Sequence, residues 1–288
     1  MKIAIGTVQF GLDYGVANQA GRVPFDEVQK ILEIASARAI DTLDTAIAYG
    51  DSESMLGQAG VFEWKVVTKL SAVPMDCVDV AGWVYSQVES SLIRLGINRL
   101  HSVLLHRPEQ LLGDTGDQLF NALQYIKAQG LAKKIGVSIY APHQLDRLTR
   151  TMDFDMVQAP LNILDRRLIE SGWASRLKAR GVELHVRSAF LQGLLLLRSY
   201  RRPSKFSRWQ SVWIEWERWL AETGLTPLQA CLAYVLGVED VDKVVLGVDS
   251  SQQLIEILGS ARPPLLNFPN WPQPIDSNLI DPSQWSKL

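Results

Sequence analysis

The chain has 288 residues, of which 47% are hydrophobic and 21% charged, with a formal net charge of −2; this is ordinary globular composition, with no basic field to attract nucleic acid or anionic lipid. Two cysteines, Cys77 and Cys231, stand without a CxxC pair, which excludes a disulfide framework and a cysteine-based zinc site and suits a reducing cytoplasm. The N-terminal MKIAIGTVQFG is too short an apolar run for a signal peptide, and the greasy stretch Phe190 to Leu197 falls far short of the roughly 20 residues that span a bilayer, so a cytoplasmic protein with no membrane partner is expected.

In chain order, Lys2–Gly6 reads as a short strand that breaks into a glycine-rich loop, TVQFGLDYGVANQAG. Val28, Ile31, Leu32, Ala35 and Ala39 lie at helical spacing, which predicts a helix over Phe25–Ala39 with Pro24 near its start, where proline is tolerated. Strand Thr42–Asp44, helix Ser52–Ala59 and strand Lys65–Lys69 follow. A long helix, Val78–Leu95, stops at Gly96, and strand Ser102–His106 precedes Pro108. Asp117–Gln129 reads as a helix with Gly130 as its C-terminal cap. Strand Lys134–Val137 leads to Ser138, and Pro142 opens the next helix. Strand Met156–Gln158, helix Glu170–Arg180 ended by Gly181, and strand Glu183–Val186 come next. Helix Trp209–Thr223 and a second helix from Pro227 separate that strand from the last, Lys243–Leu246. Ser251–Gly259 is the final helix, and the Pro-rich tail, 262–288, is expected to wrap the surface in extended form.

Eight short, continuously apolar strands, nearly every one followed by a helix, are the pattern of buried parallel strands and predict an α/β fold, a (β/α)8 barrel in a single domain. A doubly wound open sheet is the runner-up, but no G-x-G-x-x-G follows the first strand. The chain is organised around DTLDTAIAYGDSE, Asp41 to Glu53, in which Asp44 closes an apolar run and Tyr49 follows five residues later. Two later runs end alike, VVTK in Lys69 and SVLLH in His106. Catalytic side chains of a barrel project from C-terminal strand ends, so Asp44, Tyr49, Lys69 and His106 form a candidate proton-handling set. Each alone has a plainer reading: Asp44 as a cap on the approach to a helix, Lys69 as a snorkelling lysine, His106 as a loop histidine.

The pieces IGTVQFG, DTAIAYGDSE, VVTKL, LLHRPE, KKIGVS, VQAPLN, SAFLQGLL and VVLGVDSSQQLIEIL run in order through most of the chain. In them the sequence resembles the aldo-keto reductase family. The resemblance implies an oxidoreductase that reduces an aldehyde or ketone, a small-molecule partner, with NAD(P)H and no metal. It implies Asp44, Tyr49, Lys69 and His106 as a tetrad. Tyr49 would protonate the substrate oxygen, Lys69 would lower the phenol pKa, Asp44 would pair with Lys69, and His106 would hydrogen-bond the same oxygen.

The same resemblance implies cofactor contacts. Thr7 belongs to the first matching piece, Ser138 and Gln158 match positions that bind the nicotinamide amide, and Arg187 stands where the family often has a stacking aromatic, a role a planar guanidinium can share. Ser188, Phe190, Gln192 and Gly193 match the pyrophosphate loop, and Gly247, Ser250, Gln253 and Leu254 the adenosine end. Two departures stand out: Ile139 replaces a usual Asn, and Asp249 and Gln253 replace cations that hold the 2′-phosphate of NADP. The family points to NADP(H), and these two residues open NAD(H). Alternatives are a lyase or epimerase on the same barrel, with Tyr49 and Lys69 as acid and base, or a catalytically idle nucleotide sensor. The stripe Trp209, Trp213, Trp216 and Leu220 reads as barrel cover. The basic stretch Arg198, Arg201, Arg202, Lys205 and Arg208 reads as a solvated loop or, since it follows the pyrophosphate loop, as a phosphate clamp.

Overall fold

The computed structural model describes residues 1–18, 20–261, 267–269, 271 and 275–288. Strands β1 (Ile3–Gly6), β2 (Thr42–Asp44), β3 (Lys65–Leu70), β4 (Leu100–Leu105), β5 (Ala132–Ser138), β6 (Met156–Pro160), β7 (Glu183–Arg187) and β8 (Lys243–Gly247) are parallel and close into a barrel. Each strand pairs with the next in sequence, and β8 returns to β1 through Ile3–Val244 to Gly6–Gly247.

Strand side chains alternate between faces, and that alternation places the polar residues. Leu43, Val66, Val103, Ile135, Val137, Val157, Leu184 and Val186 join helix residues such as Val28, Ile31, Val84 and Leu119 in one buried cluster. This cluster is the main core, between barrel and helices. Val67, Leu104 and Met156 lie on the opposite phase and make a separate small cluster inside the barrel. Asp44, Lys69, His106, Ser138, Gln158, His185 and Arg187 share that inner phase, so the barrel interior is largely polar.

Several boundaries differ from the sequence expectation. The helix expected over Glu170–Arg180 is two, Arg167–Glu170 and Trp173–Ala179, separated at Gly172, whose φ of 73° breaks the helical path. The loop after β1 contains a short helix, Val8–Gly11. The long helix begins at Val80 because the Asp79 carboxylate caps it, accepting from the Gly82 N–H at 2.8 Å.

Residues 262–266, 270 and 272–274 of the expected extended tail lie outside the described residues. Its end is not extended. Ser277–Ile280 is helical and Pro282–Lys287 forms 3-10 turns, each started by an aspartate cap, with Leu279, Ile280 and Trp285 buried. The tryptophan stripe is barrel cover as read: Trp209, Trp213 and Trp216 are buried, and Trp216 also stacks on Trp219. Within the basic stretch, Arg202 pairs with Glu217 at 2.9 Å and Lys205 donates to the Trp285 carbonyl at 2.9 Å. Both therefore serve packing of this cover. No described helix is long and apolar enough to cross a membrane.

Candidate active site

The C-terminal strand ends open into a cavity of about 970 Å³. Asp44, the last residue of β2, is buried in its floor. Lys69, 1% exposed, lies behind it on β3 and donates to Asp44 Oδ2 at 2.6 Å and to the Thr45 carbonyl at 2.9 Å. Tyr49 comes from the turn after β2. That turn is drawn against the helix Val8–Gly11 so closely that a Cβ on Gly11 would stand 1.7 Å from the Tyr49 carbonyl; only glycine fits there. Lys69 Nζ lies over the Tyr49 ring, 5.1 Å from its centroid, and His106, just past β4, meets that ring edge-on at 6.0 Å. The four residues read from strand ends are thus brought together.

Burial governs the proton affinities here. It raises the Tyr49 pKa above the ordinary phenol value, the nearby Asp44 charge adding to the rise and Arg187 opposing it. The net direction is thus opposite to the lowering expected from Lys69. The ammonium faces the ring and is compensated by Asp44 at 2.6 Å, while desolvation is the largest cause of the rise. Burial also lowers the Lys69 pKa, with Asp44 opposing. His106 is pushed down to about 4 by burial, then by the Lys69 and Arg187 charges, and so is neutral at neutral pH.

The expected cofactor residues divide into two groups. Thr7, Arg187, Ser188, Phe190, Gln192, Gly193, Gly247, Asp249 and Gln253 line the cavity. Four residues of the turn after β7, Ser188, Leu191, Gln192 and Gly193, have positive φ, so the chain doubles back at the cavity wall. Ser138, Gln158, Ser250 and Leu254 do not line it. Gln158 Nε2 donates to Asp44 Oδ1 at 2.6 Å, and the Ser138 hydroxyl donates to Gln158 Oε1 at 3.3 Å. Both Asp44 oxygens are therefore engaged. Ser250 Oγ caps the helix Ser251–Ser260 by accepting from the Gln253 N–H at 3.1 Å, and Leu254 is fully buried. Of the basic stretch, Arg201 alone lines the cavity.

Other lining residues went unread in the sequence. Tyr140, just past β5, packs under the Arg187 guanidinium at 4.8 Å, and Tyr14 accepts a hydrogen bond from Gln192 at 3.0 Å. Gln9 packs over Gly247, where a Cβ would meet its amide at 2.5 Å. Gln9 Oε1 and Asp249 Oδ1 are buried without hydrogen-bond partners. Behind Asp249, the first N–H of the last barrel helix, that of Ser251, donates to Glu27 at 2.6 Å.

The sequence profile of the Aldo/keto reductase family matches residues 2–266. The chain belongs to this family. Members of this family reduce small-molecule carbonyl compounds with NAD(P)H in general terms. A 6-dehydroglucose reductase of Agrobacterium fabrum is 27% identical over 174 residues, 54% of this chain and 57% of that protein; the match spans little more than half of the relative. Among solved structures, the holo form of an aldo-keto reductase from Bacillus halodurans has a TM-score of 0.70 at 20% identity, covering 92% of this chain and 88% of that one. The glycerol dehydrogenase of Gluconobacter oxydans has a TM-score of 0.69 at 20% identity, covering 92% and 87%. At such identities the likeness is one of fold.

Proposed function

We propose that this aldo/keto reductase converts an aldehyde or ketone to the alcohol, with Tyr49 as proton donor. The observation that supports it most is the Asp44–Lys69 pair, closed at 2.6 Å and buried, with Lys69 Nζ 5.1 Å from the centroid of the Tyr49 ring. In this reading Tyr49 keeps its proton in the resting site, because burial and the Asp44 charge both disfavour the phenolate. Only an oxygen more basic than phenolate, the alkoxide that forms from a carbonyl, takes that proton. Lys69 beneath the ring then limits the cost of the phenolate left behind, and Asp44 keeps Lys69 charged despite its burial. His106, neutral at neutral pH, donates one ring N–H to the substrate oxygen and leaves the acid role to Tyr49.

A nicotinamide dinucleotide, when bound, supplies the hydride. The residues present fit such a group: the cavity runs from Tyr49 past the doubled-back turn 188–193 to Gly247 and Asp249, and two wall oxygens, Gln9 Oε1 and Asp249 Oδ1, lack partners. We assign Arg187, Ser188, Phe190, Gln192 and Gly193 to the nicotinamide and pyrophosphate side, and Gly247, Asp249 and Gln253 to the adenosine side. Thr7 supports the floor instead, its hydroxyl donating to the Asp44 carbonyl at 3.0 Å. At the adenosine side Asp249 and Glu256 line the wall, and Glu27 already occupies the Ser251 N–H. Carboxylates repel a 2′-phosphate and accept from a ribose hydroxyl. Discrimination against NAD(H) is therefore weak in this reading, whatever the wider family prefers.

The test is a carbonyl panel assayed with NADH and NADPH. Oxidation of at least one dinucleotide, dependent on a carbonyl compound, is expected. Tight binding with no turnover of any carbonyl would replace this reading with a nucleotide sensor, and absence of binding would replace it with non-hydride chemistry.

A further inference from the structure

We propose that Arg187 makes the site discriminate between the two redox states of the nicotinamide, holding the neutral, reduced ring more tightly than the cationic, oxidised one. The inference rests on the dinucleotide-dependent reduction proposed above. Arg187 ends β7 on the inner phase of the barrel and lines the same cavity as Asp44, Tyr49 and His106. Its guanidinium donates to the Ile139 carbonyl at 3.0 Å and to the Ser188 hydroxyl at 3.2 Å, and its Cζ lies 4.8 Å from the centroid of the Tyr140 ring. All three partners are neutral. Among the described residues, no carboxylate forms an ion pair with it.

Among Asp44, Tyr49, Lys69 and His106 the charges cancel, while Arg201, Asp249 and Glu256 also line the cavity. Lys69 and Asp44 are paired at 2.6 Å, and His106, with its pKa near 4, carries no charge at neutral pH. The Arg187 charge has no counter-ion, and it reaches the reacting groups: it opposes protonation of His106 and Lys69 and favours ionisation of Tyr49 and Tyr14. A ring that passes hydride to a carbonyl protonated by Tyr49 must lie in the same field. The reduced ring is neutral and feels little of it, whereas the oxidised ring is repelled. Salt screens this repulsion poorly in a half-buried wall. The functional consequence is easy release of the oxidised product and weak competition from it.

The experiment measures dissociation constants by calorimetry at fixed low ionic strength, for NADH against NAD⁺ and NADPH against NADP⁺. The proteins are wild type, Arg187→Gln and Arg187→Lys. The ratio is taken within each protein, so a general loss of affinity cancels. The wild type is expected to favour the reduced form by about tenfold or more. Arg187→Gln, which keeps a donor for Ile139 but no charge, should lose about tenfold of that ratio, and Arg187→Lys should retain it. Equal affinity of the wild type for both forms, or an unchanged ratio in Arg187→Gln, overturns the proposal. If neither dinucleotide binds the wild type in either state, the reduction reading itself falls and takes this one with it.

Discussion

At the N-terminal end of the barrel, Asp41 sits between Lys65 at 2.7 Å and Lys243 at 2.6 Å, and Glu183 accepts from His101, His185 and Lys134. At the C-terminal end, Arg187 meets only neutral groups, and Asp249 Oδ1 and Gln9 Oε1 meet none. The same strands supply both ends. Burial alone would raise the Glu183 pKa, but its three hydrogen-bonded partners hold it well below the usual carboxylate range. Charge there is spent on stability. Unpaired buried atoms occur at both ends, His185 Nδ1 and Ser102 Oγ away from the mouth and Gln9 Oε1 and Asp249 Oδ1 at it; only the latter two residues line the cavity, where a ligand can complete them. The Asp44–Lys69 pair lies between the regimes, fully paired yet placed under Tyr49.

The comparison breaks most directly at that pair. Lys69→Met leaves Asp44 buried without its cation, so a stability loss of about 3–5 kcal/mol is expected, together with near-complete loss of carbonyl turnover. Urea unfolding and steady-state kinetics read the two effects separately. Retained turnover would show that Lys69 belongs to the stabilising regime alone.

Glu183→Gln tests the opposite end. It leaves Lys134 and the two histidines without their shared anion and should cost about 3 kcal/mol, discounted for partial exposure. Turnover and dinucleotide affinity should stay within about twofold, since a stability change at the closed end does not alter transition-state contacts. A large fall in turnover in a folded variant would mean that the polar interior couples the two ends.

A smaller effect appears with pH. The folded-state pKa of His106, about 4, lies below its unfolded value, so between those values the unfolded chain binds more protons. Stability is thus complete above about pH 6.5 and falls as pH drops toward 4, by about 2 kcal/mol from this residue after allowance for its partial exposure. The buried His185, also lowered by burial, acts in the same direction. Across that window wild type should lose about 2 kcal/mol relative to His106→Asn; parallel curves would show that His106 ionises freely. The smallest change is expected from Asp249→Lys, which should shift the NADPH-to-NADH affinity ratio toward NADPH by about tenfold. An unchanged ratio would place the 2′-position away from Asp249.

The strands were legible because buried parallel strands are uninterrupted apolar runs, and the meeting of Asp44, Tyr49, Lys69 and His106 was legible because each closes or follows such a run. What sequence could not carry was solvation. The sign of the Tyr49 shift depends on desolvation, which is created only when the helix Val8–Gly11, the turn after β2 and the tetrad close together. Gln158 illustrates a second limit: its residue type suits an amide ligand or a neighbouring carboxylate, and only folding shows its amide 2.6 Å from Asp44. Glu27 was unreadable for a third reason, since its partner Ser251 is 224 residues away. Tyr140 and the aspartate caps of the tail were within reach: the first lies just past a strand end, and Asp276 and Asp281 each precede a short helical turn.

In the proposed function the buried Asp44–Lys69 pair serves a proton on Tyr49. Tyr49→Phe removes that proton while keeping the ring over Lys69. In this variant, turnover of the best carbonyl substrate should fall by about a thousandfold or more, with dinucleotide dissociation constants within about twofold of wild type. Wild-type turnover in Tyr49→Phe would contradict the assignment.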